Sequence, residues 1–351
     1  MTARPHVAYV VEPAFPGGTS AAVARELRAV RSHARIDLHA VTSRMFPGRP
    51  MAPVLAQAVA ELRLTPIVDA PRIAADVVIV HNPSFLKFEP ALGPRIVARE
   101  LVLVTHENLL RPGGHESHDV AHCLDLLDRG ALALRRSLAP ISPHNRSTVT
   151  AWLAAHPRHG HWQVRAEDWI NICDFPLVPP VAAPRDRRGR HSRPGLEKFP
   201  SPRAMDLCFP PHAEANVILG ADALSDVART RPHWRAEPFG GMDLAAYFDA
   251  IDFMVYFTAQ TFRESFGRVL AEAIAAGKVV LSDPDTAAVF GDAVIATRPE
   301  DVDDLIAGFI AAPDRYAAQV HRAQTGLADF SAAAFLRRQA DIFAPALGRA
   351  A

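Results

Sequence analysis

The chain has 351 residues, 49% of them hydrophobic and 22% charged, with 38 basic and 38 acidic side chains and a formal net charge of zero. That length exceeds what one hydrophobic core usually fills, so two domains are expected, and the composition is that of a folded globular protein. Zero net charge argues against a general nucleic-acid binder, and no apolar run reaches the roughly 18–20 residues that cross a membrane.

HVAYVV (6–11) reads as a first strand, its apolar stretch being too short for a secretion signal. A glycine pair, Gly17-Gly18, follows within FPGGTSAAV and leads into the helical run TSAAVARELRAVR. IDLHAV (36–41), DVVIVH (76–81) and ELVLVTH (100–106) read as further short apolar strands. DVAHCLDLLDRGALALRRSL (119–138) and HNRSTVTAWLAA (144–155) read as helices. Apolar strands without clear alternation, separated by helices, imply a parallel sheet covered on both faces.

Between 173 and 203 the periodicity stops in a Pro- and Arg-rich stretch, which is the best linker candidate. Alternation then resumes with MDLCF (205–209) and NVILG (216–220) as strands, DLAAYFDA (243–250) as a helix and FMVYF (253–257) as a strand. From Asp301 to about Leu347 the chain reads as all helical. The expected fold class is α/β, with two Rossmann-like halves and a helical C-terminal tail. Cys123, Cys173 and Cys208 are scattered and odd in number, so neither a disulfide framework nor a CxxC metal site is indicated. A reducing cytoplasm is the expected compartment. Lysine is scarce, with only Lys87, Lys198 and Lys278 among the basic residues, so a lysine inside a candidate site carries weight.

The most informative stretch is TFRESFGRVLAEAIAAGKVVLS (261–282). It reads as a loop leaving the carboxyl end of a strand, a helix from Phe266 to Ala276, a stop at Gly277 and a new strand. In open α/β sheets that edge binds ligands. The N–H groups of Ser265, Phe266 and Gly267 at the helix start suit an anion, and Gly267 allows close approach. Glu264 and Glu272 stand eight positions apart, about 12 Å along a helix and within roughly 80° around it. They can therefore touch different parts of one extended ligand. Each alone also suits an ordinary helix charge, but Glu272 lies in an otherwise apolar helix, where a carboxylate needs partners.

This pattern resembles the Glu-x7-Glu signature of retaining family 4 glycosyltransferases of the GT-B fold, two Rossmann-like domains facing each other across a cleft. The resemblance implies that Glu264 contacts the hydroxyls of the transferred sugar and Glu272 the nucleotide ribose. GRHSRPGLEKFP (189–200) is similar to the family's Gly-Arg…Glu-Lys segment, which implies Lys198 and Arg190 on the donor diphosphate with Arg193 as a helper. This chain departs from the family in having VAAPRDRRGR before that segment, which leaves open the choice among Arg187, Arg188, Arg190 and Arg193. Gly17 and Gly18 resemble the family's glycine loop, although a plain turn also fits. His106, ending its strand, stands where relatives carry a sugar-contacting polar residue, although an ordinary strand-end histidine also fits.

The expected activity is transfer of a sugar from a nucleotide-diphospho-sugar to a glycan, lipid-linked or small-molecule acceptor. It would be retaining and metal-independent, by front-side displacement with the leaving phosphate taking the acceptor's proton. No cofactor is expected beyond the donor substrate. Two other readings stand beside it, a GT-B nucleotide-sugar epimerase and an inactive GT-B binding subunit. The expected domains are 1–174 for the acceptor, 175–203 as linker and start of the donor domain, 204–329 for the nucleotide sugar, and a helix 330–351 packing back on the first. Peripheral membrane contact through a basic helix with Arg129, Arg135 and Arg136 is a further reading, with an ordinary surface helix as the alternative. Neither His115, His118 and His122 in HESHDVAH nor Asp283 and Asp285 in SDPD is expected to hold a metal.

Overall fold

The structure, a computed structural model, describes residues 4–343. It divides into two compact units. One holds the described residues through Ile172 together with those from Ser331 onward, and the other runs from Cys173 to Phe330.

Among the described residues the first unit is built on seven strands, β1 (His6–Val11), β2 (Arg35–Ala40), β3 (Ile67–Val68), β4 (Arg72–His81), β5 (Arg95–Thr105), β6 (Ala131–Pro140) and β7 (Gln163–Val164). They form one parallel sheet in the order β3-β2-β1-β4-β5-β6-β7. The strand order reverses between β1 and β4, and loops at the carboxyl ends of that pair flank the crevice where doubly wound sheets bind ligands. Val78, Val80, Leu101, Leu103 and Leu138 are buried from one sheet face against Leu124, Leu127 and Trp152.

The expected helix 119–138 is a helix only over Val120–Gly130, and Ala131–Pro140 is β6. Gly130 marks the change, since a Cβ there would lie 2.5 Å from Leu92 Cδ2. Arg129 is thus on a helix while Arg135 and Arg136 are on a strand, and both strand arginines are paired, with Glu100 and Asp128. The basic membrane-facing helix does not exist. Among the described residues no helix is long and apolar enough to cross a membrane. Near the C-terminus, helix Ala332–Arg338 packs on helix Gly18–Val30 within this unit. The expected helix 330–347 is interrupted at Gln339, and its residues 344–347 lie outside the described residues.

The second unit carries β8 (Arg187–His191), β9 (Ala215–Leu219), β10 (Arg235–Glu237), β11 (Phe253–Tyr256), β12 (Val279–Ser282) and β13 (Ile295–Ala296). All pair in parallel, in the order β10-β9-β8-β11-β12-β13. The reversal of strand order here falls between β8 and β11.

Two expectations fail in this unit for physical reasons. The supposed linker contains RRGRH, which is β8, a central strand of the sheet. Arg188 and Arg190 are each 1% exposed, and a buried cation needs partners. Arg188 has Asp186 and Asp303, and Arg187 has Asp252. Between the arginines, Gly189 is required by space, because a Cβ would sit 2.6 Å from Ile251 Cγ2. MDLCF is not a strand but the end of helix Pro202–Cys208. Its start signals are Ser201, whose hydroxyl accepts from the Ala204 N–H, and Pro202 at the first position.

Candidate functional site

At the reversal point of the second sheet, β8 ends in His191-Ser192 and β11 ends in Tyr256, so the segments after both strands converge there. The segment after β8 delivers Lys198 and the loop after β11 delivers Glu264. The Lys198 Nζ stands 2.6 Å from Glu264 Oε1, with side-chain exposures of only 8% and 12%. The Tyr256 hydroxyl donates to the same carboxylate oxygen. Burial works to raise the pKa of Glu264, but the Lys198 charge, its hydrogen bond and that of Tyr256 outweigh it and hold the carboxyl below its ordinary value. A carboxylate fixed in the ionised form beside an ammonium results.

Arg190 stands under this pair rather than in it. Its guanidinium donates to the carbonyl oxygens of Phe257 and Lys198 and lies over the rings of Phe199 and Tyr256. With both terminal nitrogens committed to backbone oxygens in the core, Arg190 fixes the loop that carries Lys198, contacts that fit a supporting role rather than the expected one on the diphosphate. Arg193 is exposed at the rim and pairs with Glu197 at 3.2 Å. Its charge contributes to lowering the Glu264 pKa.

Helix Arg268–Ala275 begins after Gly267, which adopts φ +84° and whose carbonyl accepts from Leu270 N–H. Leu270, Ala271, Ala273 and Ile274 are buried. Gly277, at φ +75°, ends the helix as expected, and a Cβ there would lie 2.6 Å from the Val178 carbonyl oxygen. Phe266 anchors the helix start, edge-on to Phe290 and Phe330. Ser265 is half-buried in the same turn. Glu272 is not fully buried as expected but 15% exposed, and it accepts from Arg268 Nε at 2.9 Å. Its other oxygen lies 3.6 Å from His191 Nε2, which is buried without a hydrogen-bond partner.

The residues that sequence reasoning missed here are Tyr256, His191 and Arg268. Arg268 had a readable signal, its i,i+4 spacing to Glu272; the two others end strands whose neighbours only the sheet order reveals. The Asp-x-Asp segment is spent on structure. Asp283 caps helix Pro284–Ala287 through Thr286, and Asp285 pairs with Arg263.

The first unit brings its own predicted residues together at its sheet's reversal point. Gly17, at φ +73° and exposed, precedes helix Gly18–Val30, and a Cβ on Gly17 or Gly18 would meet open space. Beside them the Asn82 amide, on a residue at φ +54°, reaches Thr19 Oγ1 at 3.3 Å and Glu107 Oε1 at 3.4 Å. His106 is half-buried at the end of β5, its Nε2 3.0 Å from His81 Nδ1. Burial, then the neighbouring His81, pushes the His106 pKa well below its ordinary value. His115, His118 and His122 do not converge; His122 Nε2 bonds the Glu89 carbonyl and His118 lies 3.9 Å from Glu107. The three cysteines are buried, and none forms a disulfide among the described residues.

His106 and His191, both lowered first by burial, make a stability prediction. Each has a folded pKa below an unfolded value of 6.5. Their contribution is therefore complete above pH 6.5 and is lost as pH falls from there toward the folded values. Thermal unfolding between pH 8 and pH 5.5 should show a falling midpoint below pH 6.5, up to about 1.4 kcal/mol per group per pH unit. A midpoint flat or rising on acidification over that range contradicts the neutral state of both rings.

Solved structures similar over nearly the whole chain identify the fold. Anabaena HepE in complex with UDP-glucose superposes with a TM-score of 0.67 at 14% identity, covering 96% of this chain and 99% of its own. The E. coli trehalose-6-phosphate protein bound with UDP-2-fluoro glucose gives 0.59 at 12% identity, covering 97% and 99%. The fold is GT-B. A third GT-B neighbour, an α-glucosyltransferase in complex with UDP and a 13-mer DNA, gives 0.57 at 9% identity with coverages of 97% and 99%. No protein-family model matches this sequence, and no curated protein matches it.

Proposed function

We propose that this chain is a glycosyltransferase that takes a sugar from a nucleotide-diphospho-sugar, retaining its anomeric configuration and working without a metal ion. One observation carries the reading. The buried Lys198–Glu264 pair, braced by Tyr256, stands at the carboxyl edge of β11, beside the strand reversal. The three neighbours were solved with UDP or a UDP-sugar, which makes UDP-glucose the first donor to test.

In this reading Glu264 accepts hydrogen bonds from sugar hydroxyls, which an ionised carboxylate does strongly. Lys198 turns from Glu264 to the diphosphate and stabilises the charge that grows there as the glycosidic bond breaks. The acceptor hydroxyl attacks the anomeric carbon on the face that the diphosphate leaves, and its proton passes to the departing phosphate oxygen. Arg193 at the rim supplies further positive potential. Glu272, held by Arg268, receives the ribose hydroxyls, and the N–H groups at Ser265, Phe266 and Gly267 face the phosphates. Gly17 and Gly18 leave the backbone open for the acceptor in the first unit. The acceptor is a glycan, a lipid-linked glycan or a small molecule, and the site resembles that of family 4 enzymes in the spacing of its two glutamates.

Thermal-shift titration with UDP-, GDP-, TDP- and ADP-sugars tests the donor site. A ligand at a hundred times its Kd stabilises by about 2.7 kcal/mol, a shift of several degrees for a unit of this size. One nucleotide series should shift the wild type and shift Glu272→Ala much less. No shift with any of the four, or an equal shift in the variant, removes the donor-site assignment.

A further inference from the structure

Behind the carboxyl edge of the first unit's sheet lies a row of polar groups that the transfer chemistry above leaves unused. Glu26, on helix Gly18–Val30, is 3% exposed. Its carboxylate accepts from the Tyr9 hydroxyl and from the Trp169 indole N–H, each at 2.8 Å. Its Oε2 lies 3.7 Å from His81 Nε2, a buried nitrogen with no hydrogen-bond partner. The other nitrogen of that ring, Nδ1, meets His106 Nε2 at 3.0 Å. His81 is clamped between Tyr9, stacked at 5.7 Å, and His106 at 5.3 Å. A buried carboxylate, a buried imidazole and a half-exposed imidazole therefore stand in sequence, ending at the edge that also carries Gly17 and Asn82.

The contact between the two rings needs one hydrogen, and two neutral tautomer pairs can supply it. If His81 donates from Nδ1, its Nε2 carries a lone pair that faces the Glu26 carboxylate. In a buried site that is repulsion between two acceptors. If His106 donates from Nε2, His81 accepts at Nδ1 and carries its own hydrogen on Nε2. That N–H then points toward the carboxylate, an attraction that survives at 3.7 Å although the distance is too long for a hydrogen bond. The second arrangement wins.

We propose that Glu26 and His81 are a positioning pair that holds His106 as its neutral Nε2–H tautomer, so that its Nδ1 lone pair accepts a hydroxyl hydrogen from a polyol ligand. The ligand class rests on the glycosyl-transfer reading; the tautomer does not. Burial holds the His106 pKa well below its ordinary value, which disfavours it as a phosphate contact and favours it as an acceptor for O–H. The ionisable groups that meet the two rings include Glu26 from the helix and Tyr9 from β1, and Glu107 follows His106 in the chain. Glu107 is already engaged by the Ser84 hydroxyl and the Asn82 amide.

Nitrogen-15 NMR of the full chain with labelled histidine reads the tautomers directly, with assignments from His81→Phe and His106→Asn. Wild-type His106 should show a hydrogen on Nε2 and a bare Nδ1 from pH 8 down to pH 6. Glu26→Leu removes the acceptor that favours a hydrogen on His81 Nε2, so the His106 hydrogen should redistribute toward Nδ1. His81→Phe keeps the stack on Tyr9 and removes the relay, and His106 should then populate both tautomers. With a turned-over nucleotide sugar, both variants should lose roughly tenfold in kcat with KM for the donor within twofold. A hydrogen on Nδ1 of wild-type His106, or a tautomer indifferent to both substitutions, overturns the pair. If the tautomers behave as stated but the wild type transfers no sugar, the pair stands and the transferase reading falls.

Discussion

Lys198→Ala should lower turnover of the nucleotide sugar by about 10²- to 10³-fold, the usual loss when one preorganised electrostatic stabiliser is removed from a leaving group. The same substitution has a second effect. It strands the Glu264 carboxylate, 12% exposed, with Tyr256 as its remaining hydrogen-bond donor. Breaking a buried pair on one side costs about 3–5 kcal/mol, so the unfolding midpoint should fall as well. Glu264→Gln separates the two effects, because it removes the charge while keeping an acceptor for Tyr256. The double variant Lys198→Ala/Glu264→Gln should be more stable than Lys198→Ala alone and no more active. Steady-state kinetics and thermal unfolding on the four proteins close that cycle. Additive losses in both quantities would show that the pair does not act as a unit.

Arg190→Met should cost about 3–5 kcal/mol of stability. The guanidinium is 1% exposed, and its removal leaves the Phe257 and Lys198 carbonyls, which it bonds, without that donor. Each buried group so stranded costs about 1–3 kcal/mol, and the contacts with the Phe199 and Tyr256 rings go too. The desolvation cost of the buried charge offsets part of this. Arg190→Lys should not rescue, because a single ammonium cannot span two carbonyls as the planar fork does. Chemical denaturation checks the size, and nucleotide binding distinguishes the roles. A variant as stable as wild type but with lost nucleotide affinity would return Arg190 to the diphosphate and end its role as a scaffold.

These residues also show what a sequence makes legible. The strand–loop–helix around Glu264 was readable because its signals are local: an apolar strand, Gly267 entering the helix and Gly277 leaving it. β1, β2, β4 and β5 were readable because their apolar runs match buried parallel strands. β8 was not, since RRGRH looks solvated until Asp186, Asp252 and Asp303, 115 residues beyond Arg188 in the last case, are known to lie against it. The helix-to-strand change at Gly130 failed for a related reason. ALALRRSLAP has an apolar content that fits either element, and the Leu92 contact that excludes a side chain at Gly130 is distant in sequence. Glu272 was expected to be buried, yet it keeps an edge to solvent with Arg268 one turn before it. Lys198 stands out by the scarcity of lysine and by the Gly-Arg…Glu-Lys resemblance, and the structure places it against Glu264, 66 residues further on. Glu26 and His81 carried no motif at all.

The most direct measurement is release of UDP from UDP-glucose by purified wild-type protein, followed with and without a glycan acceptor, beside Lys198→Ala. The wild type should release UDP, faster with an acceptor, and the variant at least about a hundredfold less. If the wild type binds the nucleotide sugar but releases no nucleotide under either condition, or if Lys198→Ala releases it equally fast, glycosyl transfer at this site is contradicted.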